Sequence, residues 1–196
     1  NVTYKAMVIT NESRHTKELR GGRETESPSL EIMKVISNFL DKKIHKTISD
    51  IIFSDRFHLF YSTTTGSPND TSDYMFHHIF YQHGKQNSVF LDDVVMPLLG
   101  KLSFDKFIRA KLNFYTKKPE HIQTAYHVDF PDKHTVALYS VNTNNGYTLF
   151  KNGDRVRSVA NQLVLFDGRL KHCSVNQTDE NVRVNININL KCKENY

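Results

Sequence analysis

A chain of 196 residues has the length of one domain. Its 13 Phe and 9 Tyr supply bulky core material beside 24% charged residues, which excludes a disordered chain, and no apolar run reaches the ~18 residues a membrane helix needs. Two cysteines, Cys173 and Cys192, cannot form a disulfide framework and point to a reducing compartment, so a cytoplasmic location with no membrane partner is expected. The net charge of +5 is too modest to select a nucleic acid or an acidic protein as partner. Its denser stretches, 14–23 and 101–118, read first as solvated basic surface, since no basic helix interleaved with aromatics appears, with a phosphate-binding face as the alternative.

Residues 1–196 are read as a single domain in three parts. Residues 1–29 are polar, carry Gly21-Gly22 and Pro28, and are expected to be a loosely ordered N-terminal segment. Residues 30–108 are expected to give helical support. There Asp41 is a candidate N-cap, and Ile44, Ile48, Ile51 and Ile52 recur at helical spacing, which predicts an amphipathic helix over 41–53. Residues 62–73 form a Ser/Thr/Gly/Pro loop with the character of a lid, flanked by the aromatic stretches 57–61 and 74–81. These aromatics suit either a core or a substrate surface. A second helix is expected over 88–100, kinked at Pro97.

From residue 109 to 190 short β-type runs alternate with turn dipeptides. Eight strands are expected, over 109–116, 122–129, 135–142, 147–151, 155–159, 162–166, 171–176 and 182–190. Asn145-Gly146, Asn152-Gly153 and Asp167-Gly168 lie between them, as pairs that tolerate the positive φ of tight turns. The expected fold is mainly β with helices: a double-stranded β-helix, or jelly roll, of about eight antiparallel strands backed by the N-terminal helices. The last run alternates strictly, with Val182, Val184, Ile186, Ile188 and Leu190 on one face and Arg183, Asn185, Asn187 and Asn189 on the other. Either the apolar face points inward and the polar face meets water, or the helices cover the apolar face and the polar face lines a cavity between two sheets.

His127 and Asp129 stand two apart at the end of a strand, so both project from one face. Alone, such a pair is a weak signal and reads first as a surface His beside a turn Asp, with Pro131-Asp132 completing the turn. His172, after the strand ending at Phe166 and the Asp167-Gly168 turn, is the candidate third ligand. Two His and one carboxylate leave three adjacent positions open, the facial geometry of non-haem Fe(II) oxygenases, whereas structural zinc asks for four ligands and usually thiolates. Arg183 offers a guanidinium fork for a carboxylate, and Tyr115 and Asn113 share one face of the first core strand. His77 and His78 are set aside as ligands, since a further protein ligand would block the position dioxygen needs.

Taken together, Tyr126-His127-Val128-Asp129, Leu138-Tyr139-Ser140-Val141-Asn142, Asn145-Gly146-Tyr147-Thr148-Leu149-Phe150, Leu165-Phe166-Asp167-Gly168 with His172, and Arg183-Val184-Asn185 resemble the 2-oxoglutarate and Fe(II)-dependent dioxygenase superfamily. The nearest look is to its prolyl-4-hydroxylase-like group, including small phage-type oxygenases, and Val35 to Leu40 is similar to the strand before that family's first helix. The resemblance implies that His127, Asp129 and His172 hold Fe(II), and that Arg183 and Tyr115 take the distal carboxylate of 2-oxoglutarate. It also implies that Thr148 lines that pocket, and that Asn113 and Asn185 face its chelating end. Dioxygen would then oxidise 2-oxoglutarate to succinate and carbon dioxide while a substrate C–H bond is hydroxylated. The presence of Asp129 separates the chain from related halogenases. The primary substrate is expected to be a prolyl peptide or a small molecule. Asn113-Phe114-Tyr115 also echoes the nucleic-acid demethylase branch, so oxidative demethylation of a nucleobase is an alternative. A non-catalytic cupin- or lectin-like binding module is another. For a phage-type enzyme the cytoplasm would be the host cell's.

Overall fold

The computed structural model describes residues 33–65 and 73–192, so the N-terminal segment 1–29 and most of the 62–73 loop lie outside the described residues. The chain is mainly β. A large antiparallel sheet runs in the order β1 (Met33–Ile36), β9 (Gln162–Asp167), β6 (Thr135–Ser140), β11 (Val182–Lys191), β5 (Lys106–Thr116), β3 (Met75–Gln82), β2 (Phe60–Ser62), with β4 (Lys85–Gln86) paired beside β3. A small sheet is ordered β10 (His172–Val175), β7 (Tyr147–Phe150), β8 (Arg155–Arg157).

Several boundaries differ from the sequence expectation for physical reasons. Residues 30–108 contribute four strands as well as helix, and three of them extend the large sheet beyond β5. β3 was hidden because its sequence, Met-Phe-His-His-Ile-Phe-Tyr-Gln, has apolar residues on both faces and so lacks alternation. The expected strand 122–129 does not form a continuous ladder. It follows β10 through two bridging pairs, Gln123 with Val175 and His127 with His172. Of the three turn dipeptides, only Gly153 has positive φ, +96°. Gly146 and Gly168 answer to close approach instead: a Cβ on Gly168 would sit 2.0 Å from the His134 ring.

Helix α1 (Lys42–Ile52) is capped by the Asp41 carboxylate, which accepts from the Lys43 amide at 2.8 Å. It buries Ile48 and Ile52 but leaves Ile44 40% exposed, so the stripe is narrower than its spacing suggests. Residues Leu91–Val95 wind with π spacing and pass into α2 (Met96–Leu99). Pro97 stands at the start of α2, directly after the π turn. Ile48, Ile52, Val94, Leu98 and Leu99 share one buried cluster with Leu112, Ile186 and Ile188 of β5 and β11. A second cluster, Val136, Leu138, Phe150, Val164 and Phe166, joins the large sheet to the small one.

The two readings of β11 are thereby decided. Val184, Ile186, Ile188 and Leu190 enter the cluster shared with the helical residues, yet the opposite face is equally dry: Arg183 is 2% exposed, Asn185 3%, Asn187 8% and Asn189 0%.

Candidate active site

Antiparallel pairing of β5 with β11 sets four cross-strand pairs on that inner face: Tyr115 with Arg183, Asn113 with Asn185, Lys111 with Asn187, and Arg109 with Asn189. Each is a consequence of period-two alternation, which brings a charged or amide side chain inward at every second residue. The opposing wall is the small sheet with the 122–129 segment. Between them lies a cavity of about 90 Å³, lined by Lys111, Asn113, Tyr115, His127, Asp129 and Ser174 among others.

His127, Asp129 and His172 converge, with ligand atoms all within 4.8 Å of one another. The backbone explains the convergence. His127 and His172 exchange both backbone hydrogen bonds, His127 N–H to His172 carbonyl at 2.9 Å and the reverse at 3.0 Å, which sets the two rings side by side with centroids 4.8 Å apart. Nδ1 of His172 lies 2.8 Å from the Leu170 carbonyl and Nδ1 of His127 lies 3.3 Å from the Ala125 carbonyl. A carbonyl only accepts, so Nδ1 carries the proton in each ring and Nε2 keeps its lone pair for a metal.

Asp129 is the most tightly held member. Its side chain is 7% exposed. Arg109 lies 3.0 Å from Oδ1, and the amide groups of Asn187 and Asn189 donate to Oδ2 at 2.9 and 2.8 Å. Burial alone would raise its pKa, but Arg109, the neighbouring His172 and the two Asn donors outweigh burial and hold the carboxyl well below its usual range. Three of about four acceptor positions are used, leaving one for a cation. The His127 imidazole is held below its ordinary pKa, first by burial and then by the neighbouring His172, while Asp129 opposes. A neutral imidazole is the ligand form. The donor set, two imidazole Nε2 atoms and one fixed carboxylate on paired strands, therefore suits Fe(II) bound on one face.

Arg183 stands behind the cavity lining, against Ser174 and Tyr115. Its Nε donates to Ser158 Oγ at 2.8 Å, one terminal nitrogen donates to Ser174 Oγ, and the other reaches Thr148 Oγ1 at 3.3 Å. The guanidinium lies 5.3 Å from the Tyr115 ring centre, and the Tyr115 hydroxyl lies against Ser174. Burial raises the Tyr115 pKa, with Arg183 opposing, so the phenol stays protonated and able to donate. Among the described residues Arg183 has hydroxyl partners but no ion pair. Such a buried cation is expensive unless an anion completes it. Gly146 makes room for it: a Cβ there would sit 2.8 Å from Arg183 Cδ.

His127, Asp129 and Tyr115 line the cavity, His172 stands beside His127, and Arg183 with Thr148 lies behind the lining, Arg183 touching Ser174. Asn113 faces the cavity and donates to Asn185 at 3.0 Å, so Asn185 holds Asn113 and is not itself a lining residue. His78 points away, between the His58 carbonyl and Ser88 Oγ. Sequence reasoning missed Arg109, Lys111, Ser158 and Ser174, and gave no role to Asn187 and Asn189. Period-two alternation back from Tyr115 would have found Arg109 and Lys111. No sequence signal marks Ser158 and Ser174, which reach Arg183 from other strands and loops.

No protein-family model and no curated protein sequence matches the chain. Solved structures do. The viral collagen prolyl hydroxylase of Paramecium Bursaria Chlorella virus-1, in its 2OG complex, superposes with a TM-score of 0.56 at 11% identity over 83% of this chain and 97% of that one. A Pseudomonas putida prolyl-4-hydroxylase gives 0.58 at 13% identity over 83% and 93%. The non-heme alpha ketoglutarate dependent epimerase SnoN of nogalamycin biosynthesis gives 0.57 at 12% identity over 81% and 77%. At such identities the likeness is one of fold: the chain has the fold of the 2OG-Fe(II) oxygenases.

Proposed function

We propose that the protein is an Fe(II)- and 2-oxoglutarate-dependent dioxygenase that hydroxylates a C–H bond of a peptidyl or small-molecule substrate, releasing succinate and carbon dioxide. One observation carries this reading. A two-His, one-carboxylate triad, of which His127 and Asp129 line the cavity, stands near a buried arginine with no counter-charge among the described residues, and that arginine touches the same lining through Ser174 and the Tyr115 ring. Neither feature alone selects the chemistry; together they ask for a metal and a small diacid. The shared fold with prolyl hydroxylases supports it and makes a prolyl peptide a natural first candidate.

Each residue has a physical task. His127, Asp129 and His172 would hold the iron from one side, leaving the other side of the ion to cosubstrate and dioxygen. Bound iron and 2-oxoglutarate supply the activation of dioxygen and the oxidation of the C–H bond. Arg109, Asn187 and Asn189 keep Asp129 ionised and fixed, so that it cannot rotate away when the site is empty of metal. Arg183 would anchor the distal carboxylate of 2-oxoglutarate by charge-assisted hydrogen bonds, with the Tyr115 hydroxyl and Thr148 beside it. Asn113, steadied by Asn185, would face the chelating end. Phe150 and Phe166 pack against the His172 ring and close that side against water. Both cysteines are free, which suits the reducing cytoplasm, and no helix among the described residues is long and apolar enough to cross a membrane.

The test is anaerobic. Addition of Fe(II) and 2-oxoglutarate should produce the weak visible charge-transfer band of the chelate, and admission of oxygen with a suitable peptide or small molecule should release succinate. Absence of the band at saturating iron overturns the reading.

A further inference from the structure

Resting on that reading, we infer that the primary substrate is anionic and presents a carboxylate or phosphate to Lys111. The inference starts from which charges the cavity already accounts for. Asp129 is matched by Arg109 at 3.0 Å. The two carboxylates of 2-oxoglutarate would be matched by the metal and by Arg183. Lys111 remains. It stands on the same inner face of β5 as Arg109, Asn113 and Tyr115, lines the cavity, and among the described residues makes neither an ion pair nor a hydrogen bond.

Its surroundings repeat the message. β3 pairs with β5 so that His77 lies opposite Asn113 and Ile79 opposite Lys111, all on the inner face. His77 Nδ1 is buried with no hydrogen-bond partner, and its ring is close enough to Lys111 for each to feel the other's charge. Lys111 and His77 Nδ1, on adjacent strands, leave a polar corner, with Asn187 opposite Lys111, between the triad and Phe60, which is 58% exposed and rests 6.2 Å from the His77 ring. Burial and the adjacent Arg109 press the Lys111 ammonium down to about 8 while Asp129, itself paired with Arg109, opposes, and among the described residues no carboxylate stands within ion-pair distance of Lys111. Arg183 shows the same lack and lies on the far side of Asn113 along β5 and β11, beyond reach of a group held at Lys111. The corner also lies beside Asp129, so an acid group bound there would place the neighbouring part of the substrate against the metal. The basic stretch 101–118, which from sequence alone could be mere surface, here turns two of its cations inward.

The experiment uses the full chain loaded with Zn(II), a redox-inert occupant, and saturating 2-oxoglutarate. Matched pairs are titrated by calorimetry: an amino acid against its amide, a prolyl dipeptide against its C-terminal amide, and a nucleoside 5′-monophosphate against the nucleoside. The acid member of at least one pair should bind about tenfold or more tightly than its neutral partner, as a charged hydrogen bond implies. Lys111→Met should abolish that preference and Lys111→Arg should retain it, with 2-oxoglutarate affinity unchanged in both. The responding pair tells carboxylate from phosphate. The inference is overturned if no pair shows the preference, if the preference survives Lys111→Met, or if that variant instead loses 2-oxoglutarate, which would assign Lys111 to the cosubstrate. Failure of the wild-type chain to bind 2-oxoglutarate at all would sink the dioxygenase reading, and the same pairs titrated without it would still report on Lys111.

Discussion

The two faces of β11 are equally dry and do opposite work. On one, Ile186 and Ile188 are 0% exposed among aliphatic neighbours. On the other, Arg183 and Asn189 are 2% and 0% exposed among hydroxyls, amides and a carboxylate. Burial therefore does not separate core from site in this protein; the partners do. The aliphatic face is complete as it stands. The polar face ties Asp129 to Arg109 and two amides but leaves Asn187 Oδ1 without a partner, and Arg183, like Lys111 of β5, without an anion among the described residues; that incompleteness marks where ligands belong.

This contrast can be broken by substitution. The largest effect is expected at the triad: Asp129→Ala should weaken metal binding by more than about 100-fold and leave Arg109 without its carboxylate. Metal titration followed by the chelate band checks it. Next, Ile186→Ala on the apolar face should cost about 2–5 kcal/mol in denaturant unfolding while the folded fraction binds metal normally. Arg183→Met should give the reverse pattern. Affinity for 2-oxoglutarate should drop about 100-fold, since charged hydrogen bonds are worth about 1.5–3 kcal/mol, while stability without cosubstrate holds or rises because a buried, unpaired charge is gone. A clear loss of stability in Arg183→Met would break the comparison. Asn189→Ala, which removes one donor to Asp129, should weaken metal binding by about tenfold.

The smallest effect is that of pH on the metal-free protein. His45, His77, His78 and His127 are all held below their ordinary pKa, burial being the first cause in each. A histidine so held takes up its proton more readily in the unfolded chain. Its contribution is whole above about pH 6.5 and fades as pH falls below that value. Asp129, also held low, adds a second loss below about pH 4, where the unfolded carboxyl begins to protonate and the folded one does not. Unfolding midpoints against pH should show both declines, and bound metal should deepen the first and carry it to lower pH, because a metal-held His127 cannot take up the proton that the unfolded chain accepts.

What the sequence alone determined was local and periodic. Strict alternation in β11, the H-x-D spacing of His127 and Asp129, the isoleucine stripe of α1 and the turn dipeptides follow from side-chain geometry along one element, and they were enough to suggest a jelly roll and the ligands of one metal. Alternation in β11 could not say which face met water. β3, apolar on both faces, carried no period to read. Glycines 146 and 168 looked like turn formers because the sequence does not show that Arg183 and His134 press against them. Tertiary structure decided these things, because each depends on what a different strand brings within a few ångströms. The inward turn of Arg109 and Lys111, the hydroxyls around Arg183 and the amides beneath Asp129 arise only when β5, β11 and the small sheet face one another.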